Sequence, residues 1–497
     1  MKSIFKSTAI LSVGSVATIL VGLVSAKVAA TLLHPAGYGY YGLLQGFVGI
    51  TSLLAGFGIS TGLVRLGASA AQNGDEATIG NLRRAAWFLF LVLGILTVAV
   101  LLFFSRTLST WALGTPEYAS TIRLLSLPLL FTAAASIQTG TLNAYHYVGS
   151  LAKQSVVSAI LGYACAICCV ILWRQNGIVP AVICVAGAAL IVSTYYVLRE
   201  TPRPTSAVTP PGQITAIRSL LKFGTPFTAS ALVGTGMQFV MPALVLHLLN
   251  TESVGYYRAA FAISVNYLGF LITAMAQDYY PRVSAVRDQP VALASLINEQ
   301  HRLVMTFAAP GILGTLALVP YLVPLVYSSK FMPTVEILEW QLIGDLFKFS
   351  SWTMAYVILA HCSGLTYFLT ELLGGLVGIV TLIPAVRWFG LPGLGISFVV
   401  TYIIYFLAVW LIVRRDVPLK FTVINKMLLI GTVLAACIIR ILPSTRFAAL
   451  RTPVALLLTA GAAAISLRTI WRELSGHKPS KTLPGTTGSA ETAYGLD

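Results

Sequence analysis

Charge is what this chain has least of. Charged residues make up 10% of its 497 positions, against roughly 25% in a soluble globular protein. With 57% hydrophobic residues, the chain cannot be wrapped in water. Signatures of chemistry are missing as well. No Walker A lysine loop occurs, so no ATPase is built in. There is no H-E-x-x-H and no Asp-x-Asp pair in an aqueous loop, which excludes a zinc hydrolase and a nucleotide-sugar transferase. Gly58-Ile59-Ser60-Thr61-Gly62 matches G-x-S-x-G, but it ends an apolar helix instead of forming the strand–turn–helix elbow that a nucleophile needs. The six cysteines form no disulfide framework. Cys165, Cys168 and Cys169 share one apolar run, and Cys184, Cys362 and Cys437 lie in or beside others. Cys165-x-x-Cys168 lacks the second pair or aqueous setting of a metal or redox site. These cysteines read as small buried side chains, and neither metal nor organic cofactor is expected.

What remains is a series of long apolar runs. A spanning helix needs about 20 mostly apolar residues. Candidates fall at 7–33, 40–64, 85–104, 124–142, 155–173, 178–198, 223–249, 256–278, 303–328, 341–361, 365–386, 393–413, 427–442 and 453–470. Backbone groups in lipid must be satisfied internally, and uninterrupted runs of this kind exclude a barrel. The fold class expected is all-α integral membrane, with about 14 transmembrane helices. The net charge of +16 does not indicate nucleic acid, because the cations sit at span ends. Placing the N-terminus in the cytoplasm gathers Lys2 and Lys6, Arg65, Arg83 and Arg84, Arg199 to Lys222, Arg282 to Arg302, and Arg414 to Lys426 inside. Only Arg106, Arg123, Arg174, Lys330, Arg387, Arg446 and Arg451 then lie outside. The positive-inside rule therefore predicts two cytoplasmic termini, with the basic loops near anionic lipid. Residues 1–26 resemble a signal peptide, but their apolar stretch is too long for one and is expected to be a retained helix.

The chain also repeats itself. Leu32-Leu33, five residues and Gly39-Tyr40-Tyr41 recur as Leu248-Leu249, five residues and Gly255-Tyr256-Tyr257. Lys6 and Lys222 stand at the same offset. Such repeats mark secondary transporters, which hold substrate between pseudo-symmetric halves. The expected organisation is a six-helix bundle over 1–198, a proline-rich cytoplasmic linker at 199–222 and a second six-helix bundle over 223–415. Two further spans follow over 416–474, then a disordered tail at 475–497 rich in Gly, Ser, Thr and Pro.

Polar residues inside spans are costly and point to a cavity or to helix packing. Gln45, Gly49, Ser52 and Gly56 share one face of the second span. Thr225, Thr228, Thr235 and Gln238 stripe the seventh, and Arg258, Asn266, Thr273 and Gln277 the eighth. Lys27 stands within the first span, as a snorkelling cation or as part of a cavity. Asp345 and Lys348 form an i, i+3 pair. Glu371, without a basic residue in its own helix, is a candidate proton carrier. Asp278 is a gate or a partner of Arg282.

Several stretches in order resemble the opening of the Wzx oligosaccharide flippases. These are Ala26-Lys27, Leu32-Leu33-His34-Pro35-Ala36-Gly37-Tyr38-Gly39, and Leu53-Leu54-Ala55-Gly56-Phe57-Gly58-Ile59 through Val64-Arg65. Asp278-Tyr279-Tyr280-Pro281-Arg282 adds to them, and the resemblance covers roughly 1–415. It implies a fold like the MATE and lipid II flippase proteins, with two six-helix bundles around a cavity. It implies transport of an undecaprenyl-pyrophosphate-linked glycan for O-antigen, enterobacterial common antigen or exopolysaccharide assembly. The protein would act as a monomer near polysaccharide polymerase and chain-length proteins. The cationic cavity would map onto Lys27, Arg258 and Lys348, with Gln45, Gln238, Asn266 and Gln277 as polar contacts. Glu371, Asp278, Asp345 and Arg282 would serve coupling to H+ or Na+, or gating. Alternative readings are a MATE-type drug/cation antiporter and a membrane polysaccharide polymerase or ligase.

Overall fold

The computed structural model describes residues 2–202, 210–274, 278–362, 364–442 and 450–476. Among them no strand occurs. The helices are α1 (Lys2–Gly56), α2 (Ile59–Gln72), α3 (Glu76–Phe103), α4 (Ser105–Leu113), α5 (Ala119–Leu124), α6 (Ser126–Ala144), α7 (Val148–Trp173) and α8 (Ile178–Glu200). They continue as α9 (Pro210–Leu248), α10 (Thr251–Ala274), α11 (Tyr280–Ala285), α12 (Pro290–Val326), α13 (Thr334–His361), α14 (Gly364–Phe389), α15 (Gly393–Asp416), α16 (Val423–Ile441) and α17 (Arg451–Gly476). Among the described residues, every apolar run read from the sequence falls largely on helix. Eleven helical stretches are long and apolar enough to cross a bilayer. One of these is Ala17–Gly56 of α1, and another, Val148–Glu200, runs through both α7 and α8.

Two local breaks shape the first half. In α1 the chain leaves helical geometry at His34, with φ 60° and ψ 177°. Pro35 follows, and a residue before proline is pushed out of the α region. Proline then opens the next helix, where its missing N–H costs nothing. The result is two arms, 2–33 and 35–56. The second break corrects the expected single span over 40–64. Phe57 and Gly58 both take positive φ, 38° and 62°, so α1 ends and α2 begins at Ile59. The cause is a close approach: a Cβ on Gly58 would stand 2.6 Å from the Gly224 carbonyl of α9. Helix also extends into 65–72 and 210–222, which the sequence reading had given to loop and linker. Most of the tail expected to be disordered, 477–497, lies outside the described residues.

Helices α1, α6, α7 and α8 pack on one another, while α10, α12, α14 and α15 each pack on α13, and α14 also on α15. α9 lies against α1, α2 and α3 of the first group and α14 of the second. The repeat reappears as contacts. Gly39 and Gly255 meet, so that a Cβ on Gly255 would stand 2.1 Å from the Pro35 carbonyl, and one on Gly39 would stand 2.7 Å from the Gly255 nitrogen. Thr31 Oγ1 donates to the Tyr327 carbonyl at 3.4 Å, while His247 Nε2 stands 2.8 Å from the Trp111 carbonyl. Thr31 and His247 are repeat mates, and so are Trp111 and Tyr327. Each half therefore grips the other through the same pair of positions.

α16 and α17 rest on α12, and α16 also on α13. Glu339 of α13, almost fully buried, anchors both. Its Oε1 accepts from Arg451 Nη2 of α17, and its Oε2 stands 2.9 Å from Arg440 Nε of α16. Arg440 also lies over the Trp340 ring, 5.5 Å from its centroid.

Removing one member of a buried ion cluster leaves its partners uncompensated, at a cost of about 3–5 kcal/mol. Glu339→Ala should lower the thermal midpoint of the detergent-solubilised protein and expose α16 and α17 to limited proteolysis. Gly255→Ala forces backbone apart, costing about 1–3 kcal/mol. Gly234→Ala, where nothing lies within 4 Å of the added methyl, should leave the midpoint unchanged.

Candidate substrate-binding cavities

The second arm of α1 carries Gly42, Gln45, Gly49, Ser52 and Gly56 at alternating spacings of three and four, which places them on one helical face. Two cavities lie along this face. The first, about 310 Å³, is near the His34 end and is bounded by Thr18, Gly22 and Ser25 of the first arm and by Tyr38, Tyr41, Gly42 and Gln45 of the second. Tyr163 of α7, Arg258 and Ala262 of α10, and Tyr327 close it. The second, about 270 Å³, is nearer the Gly58 end and is bounded by Gly49, Ser52 and Gly56 together with residues of α2, α6 and α9. The Gly/Ser face of the second span thus borders interior space as well as packing against other helices.

Among the described residues that line the two cavities, Arg258 carries the only charge. Its Nη1 donates to the Gly42 carbonyl at 2.5 Å. The side chain lies flat across α1, and a Cβ on Gly42 would stand 2.1 Å from Arg258 Cδ and Nε. Gly42 and Arg258 are themselves repeat mates, separated by 216 positions. Tyrosines surround the guanidinium. The Tyr38 and Tyr327 rings meet edge to face at 5.7 Å, and Tyr327 donates its hydroxyl to the Ala259 carbonyl at 3.2 Å. A guanidinium offers five donors in a rigid fork suited to phosphate oxygens. Phenols add donors and apolar faces. The first cavity therefore presents one guanidinium beside phenol rings.

The other cations singled out from the sequence lie elsewhere. Lys27 lines neither cavity; its Nζ donates to the Pro324 and Leu325 carbonyls at 3.0 and 2.8 Å. It caps the C-terminus of α12, where a cation complements the helix dipole. Lys348 is buried in the second half, 3.9 Å from Asp345. The rings of Trp352, Phe398 and Tyr402 enclose it at 5.3 to 5.6 Å. Asp345 is fully buried and accepts from Ser264 Oγ at 2.7 Å. Tyr402 lies between this pair and a second carboxylate: its ring faces Lys348 Nζ at 5.4 Å and lies 6.2 Å from that of Tyr405. Tyr405 in turn donates to Glu371 Oε1 at 2.8 Å. Asp278 and Arg282 form an exposed ion pair at 3.6 Å, and Arg282 also meets Glu299 at 2.7 Å. Gln238 is exposed on α9. Asn266 is on α10, but its side chain, and Gln277 entirely, lie outside the described residues.

Sequence reasoning missed Tyr38, Tyr163 and Tyr327, and used Tyr41 only as a repeat landmark. A signal was available, because a tyrosine within or at the end of an apolar run brings a hydroxyl that needs a partner. It missed Gly42 too, although the 216-residue offset aligns that glycine with Arg258.

Comparison with known proteins bears on this arrangement. The Lipid III flippase of Escherichia coli (strain K12) is 22% identical over 391 residues, covering 78% of this chain and 92% of that protein, and the Lipid III flippase of Shigella flexneri matches to the same extent. Among solved structures, the lipid II flippase MurJ in an inward closed conformation superposes with a TM-score of 0.68 at 14% identity, covering 94% of this chain and 99% of MurJ. An inward-facing multidrug resistance MATE family transporter of the MOP superfamily gives 0.65 at 15% identity, covering 80% and 94%. The all-α fold of MurJ and MATE transporters is thereby the fold of this multi-pass membrane chain. Residues 28–336, more than half of the sequence, match the family described as polysaccharide biosynthesis protein, and the chain belongs to that family.

Proposed function

We propose that this protein is a flippase that carries an undecaprenyl-pyrophosphate-linked oligosaccharide from the cytoplasmic to the periplasmic leaflet of a bacterial inner membrane, for assembly of a surface polysaccharide. The observation that carries the reading is Arg258, the single charge in a tyrosine-lined cavity between two repeat-related halves. A pyrophosphate with several sugars cannot cross a hydrocarbon layer about 30 Å thick unaided; the polyprenyl tail need not leave lipid. The cavity wall supports a sideways opening. Ile19 borders the cavity and is exposed, as are Leu20 and Val24 on the same arm of α1. A tail can lie along that apolar surface while the guanidinium and phenols hold the headgroup. Rocking of the halves about their repeat contacts then moves access from one side to the other. The orientation has both termini in the cytoplasm, as the basic loops require. The working unit is a monomer beside polymerase and chain-length proteins.

Arg258 also weighs against the alternatives. A drug/cation antiporter needs acidic groups at its substrate cavity, and the charge here is positive. A polymerase or ligase needs a large periplasmic loop, and the outer loops of this chain are short. Coupling falls to the polar network of the second half. There, Glu371 with Tyr405 is the candidate carrier of H+ or Na+, and Asp345 is held by Lys348. Asp278 and Arg282 serve as an exposed gate. α10 joins the network to the substrate cavity, because Arg258 reaches the cavity while Ser264 on another face reaches Asp345.

In proteoliposomes with leaflet-resolved detection of lipid-linked oligosaccharide, Arg258→Ala should reduce translocation by about a hundredfold. That is the loss of a charged hydrogen-bonding partner worth roughly 3 kcal/mol. Gly42→Ala should reproduce most of this defect through displacement of the guanidinium, and the double variant should be no worse than Arg258→Ala. Unchanged export in Arg258→Ala would remove the pyrophosphate reading. Glu371→Gln should bind lipid-linked glycan normally yet no longer respond to an imposed H+ or Na+ gradient. A retained gradient response would exclude Glu371 as the carrier.

A further inference from the structure

The two cavities along α1 differ in charge. The first holds the Arg258 guanidinium among tyrosines. The second has no charged residue in its lining, and its serine protons are already used. Ser52 Oγ donates to the Gly49 carbonyl at 3.0 Å, Ser60 Oγ to the Ser136 carbonyl at 2.7 Å, and Ser136 Oγ to the Ala133 carbonyl at 2.7 Å. What these hydroxyls have left are lone pairs, which accept. Thr132 and Thr235 line the same space. Without a cation this lining gives phosphate no counter-charge, and hydroxyl groups that accept and donate suit the hydroxyls of an uncharged sugar.

Position supports the same division. Gly42, beneath the guanidinium, and Ser52 lie ten residues apart on one helix face, about 15 Å along the axis. A headgroup anchored by its phosphates at Arg258 and laid along this face brings its distal sugars to the second cavity. The wall there draws on four helices, α1, α2, α6 and α9, and so on both halves of the chain.

We infer that the cavity lined by Ser52, Ser60, Ser136 and Thr235 is a separate subsite for neutral sugar residues, distinct from the pyrophosphate site at Arg258. This rests on the flippase reading above and adds a ligand class and an orientation to it: phosphate toward the His34 end of α1, glycan toward the Gly58 end. It makes Gly49 and Thr235 determinants of glycan length and identity, with no part in phosphate capture. Space for the test exists. A Cβ on Gly49 would meet only Thr235 Cγ2, at an ordinary 3.8 Å, so a leucine fills the cavity without forcing helices apart.

The test measures binding of three lipids to the full-length protein in nanodiscs. They are undecaprenyl pyrophosphate alone, the same lipid with one neutral sugar, and the same lipid with a neutral tetrasaccharide. Gly49→Leu should weaken the tetrasaccharide lipid about tenfold, and Thr235→Val, which removes one acceptor and keeps the shape, should weaken it about fivefold. Both should leave undecaprenyl pyrophosphate within twofold of the parent protein. Equal losses for all three lipids would overturn the inference and assign the cavity to the polyprenyl chain or to general packing. Unchanged tetrasaccharide binding in both variants would also overturn it. Arg258→Ala separates the two levels of the argument. If it fails to weaken undecaprenyl pyrophosphate, the flippase reading itself falls; if it does weaken it while the Gly49 and Thr235 variants spare the tetrasaccharide lipid, only the sugar subsite falls.

Discussion

The arrangement turns on one side chain lying across one backbone. An arginine within a membrane-spanning bundle is costly unless its charge meets polar partners or water. Arg258 meets that demand by reaching from α10 to the carbonyl of Gly42 and by lying among tyrosines. The contact is possible only because position 42 has no side chain. It spans the boundary between the two halves, so the same interaction that makes a guanidinium tolerable in lipid also fixes where the halves meet and what the space between them attracts.

The internal repeat explains why this contact falls where it does. Residues related by the repeat touch each other at two points along α1 and α10, Gly39 with Gly255 and Gly42 with Arg258, so the axis relating the halves passes through this junction. At the first point both halves keep glycine, and the backbones close. At the second, one half keeps glycine and the other has arginine. A duplicated scaffold thus supplies a symmetric frame, and a single departure from symmetry supplies the charge. The paired contacts of Thr31 with Tyr327 and His247 with Trp111 show the same logic: equivalent positions, different donors.

α10 has a second task. Arg258 reaches the cavity, whereas Ser264, on another face, hydrogen-bonds Asp345 in the interior of the second half. Lys348 sits in its aromatic enclosure beside that carboxylate, and Tyr402 and Tyr405 extend the polar chain to Glu371. A rotation or shift of α10 therefore changes both surroundings at once, which is the kind of shared element that linkage between two sites requires. The C-terminal helices stand apart from this system; Glu339 fastens them to the outside of the second half.

Much of the fold was legible in sequence because its causes are local. A bilayer demands long apolar helices, so hydropathy alone located the runs that became helices. The 216-residue offset revealed two halves before any contact was known. Periodicity put Gln45, Gly49, Ser52 and Gly56 on one face and identified Arg258 as a costly residue needing a reason. The partners were not legible. Lys27 looked like a cavity cation and instead caps carbonyls of α12, 297 and 298 positions away; Lys348 looked similar and is enclosed by aromatic rings from two helices. The break at Phe57 and Gly58 comes from the approach of Gly224 on another helix. Helical spacing fixes which residues share a face, but which face meets lipid, a cavity or another helix depends on packing between segments hundreds of residues apart, and only the tertiary structure decided that.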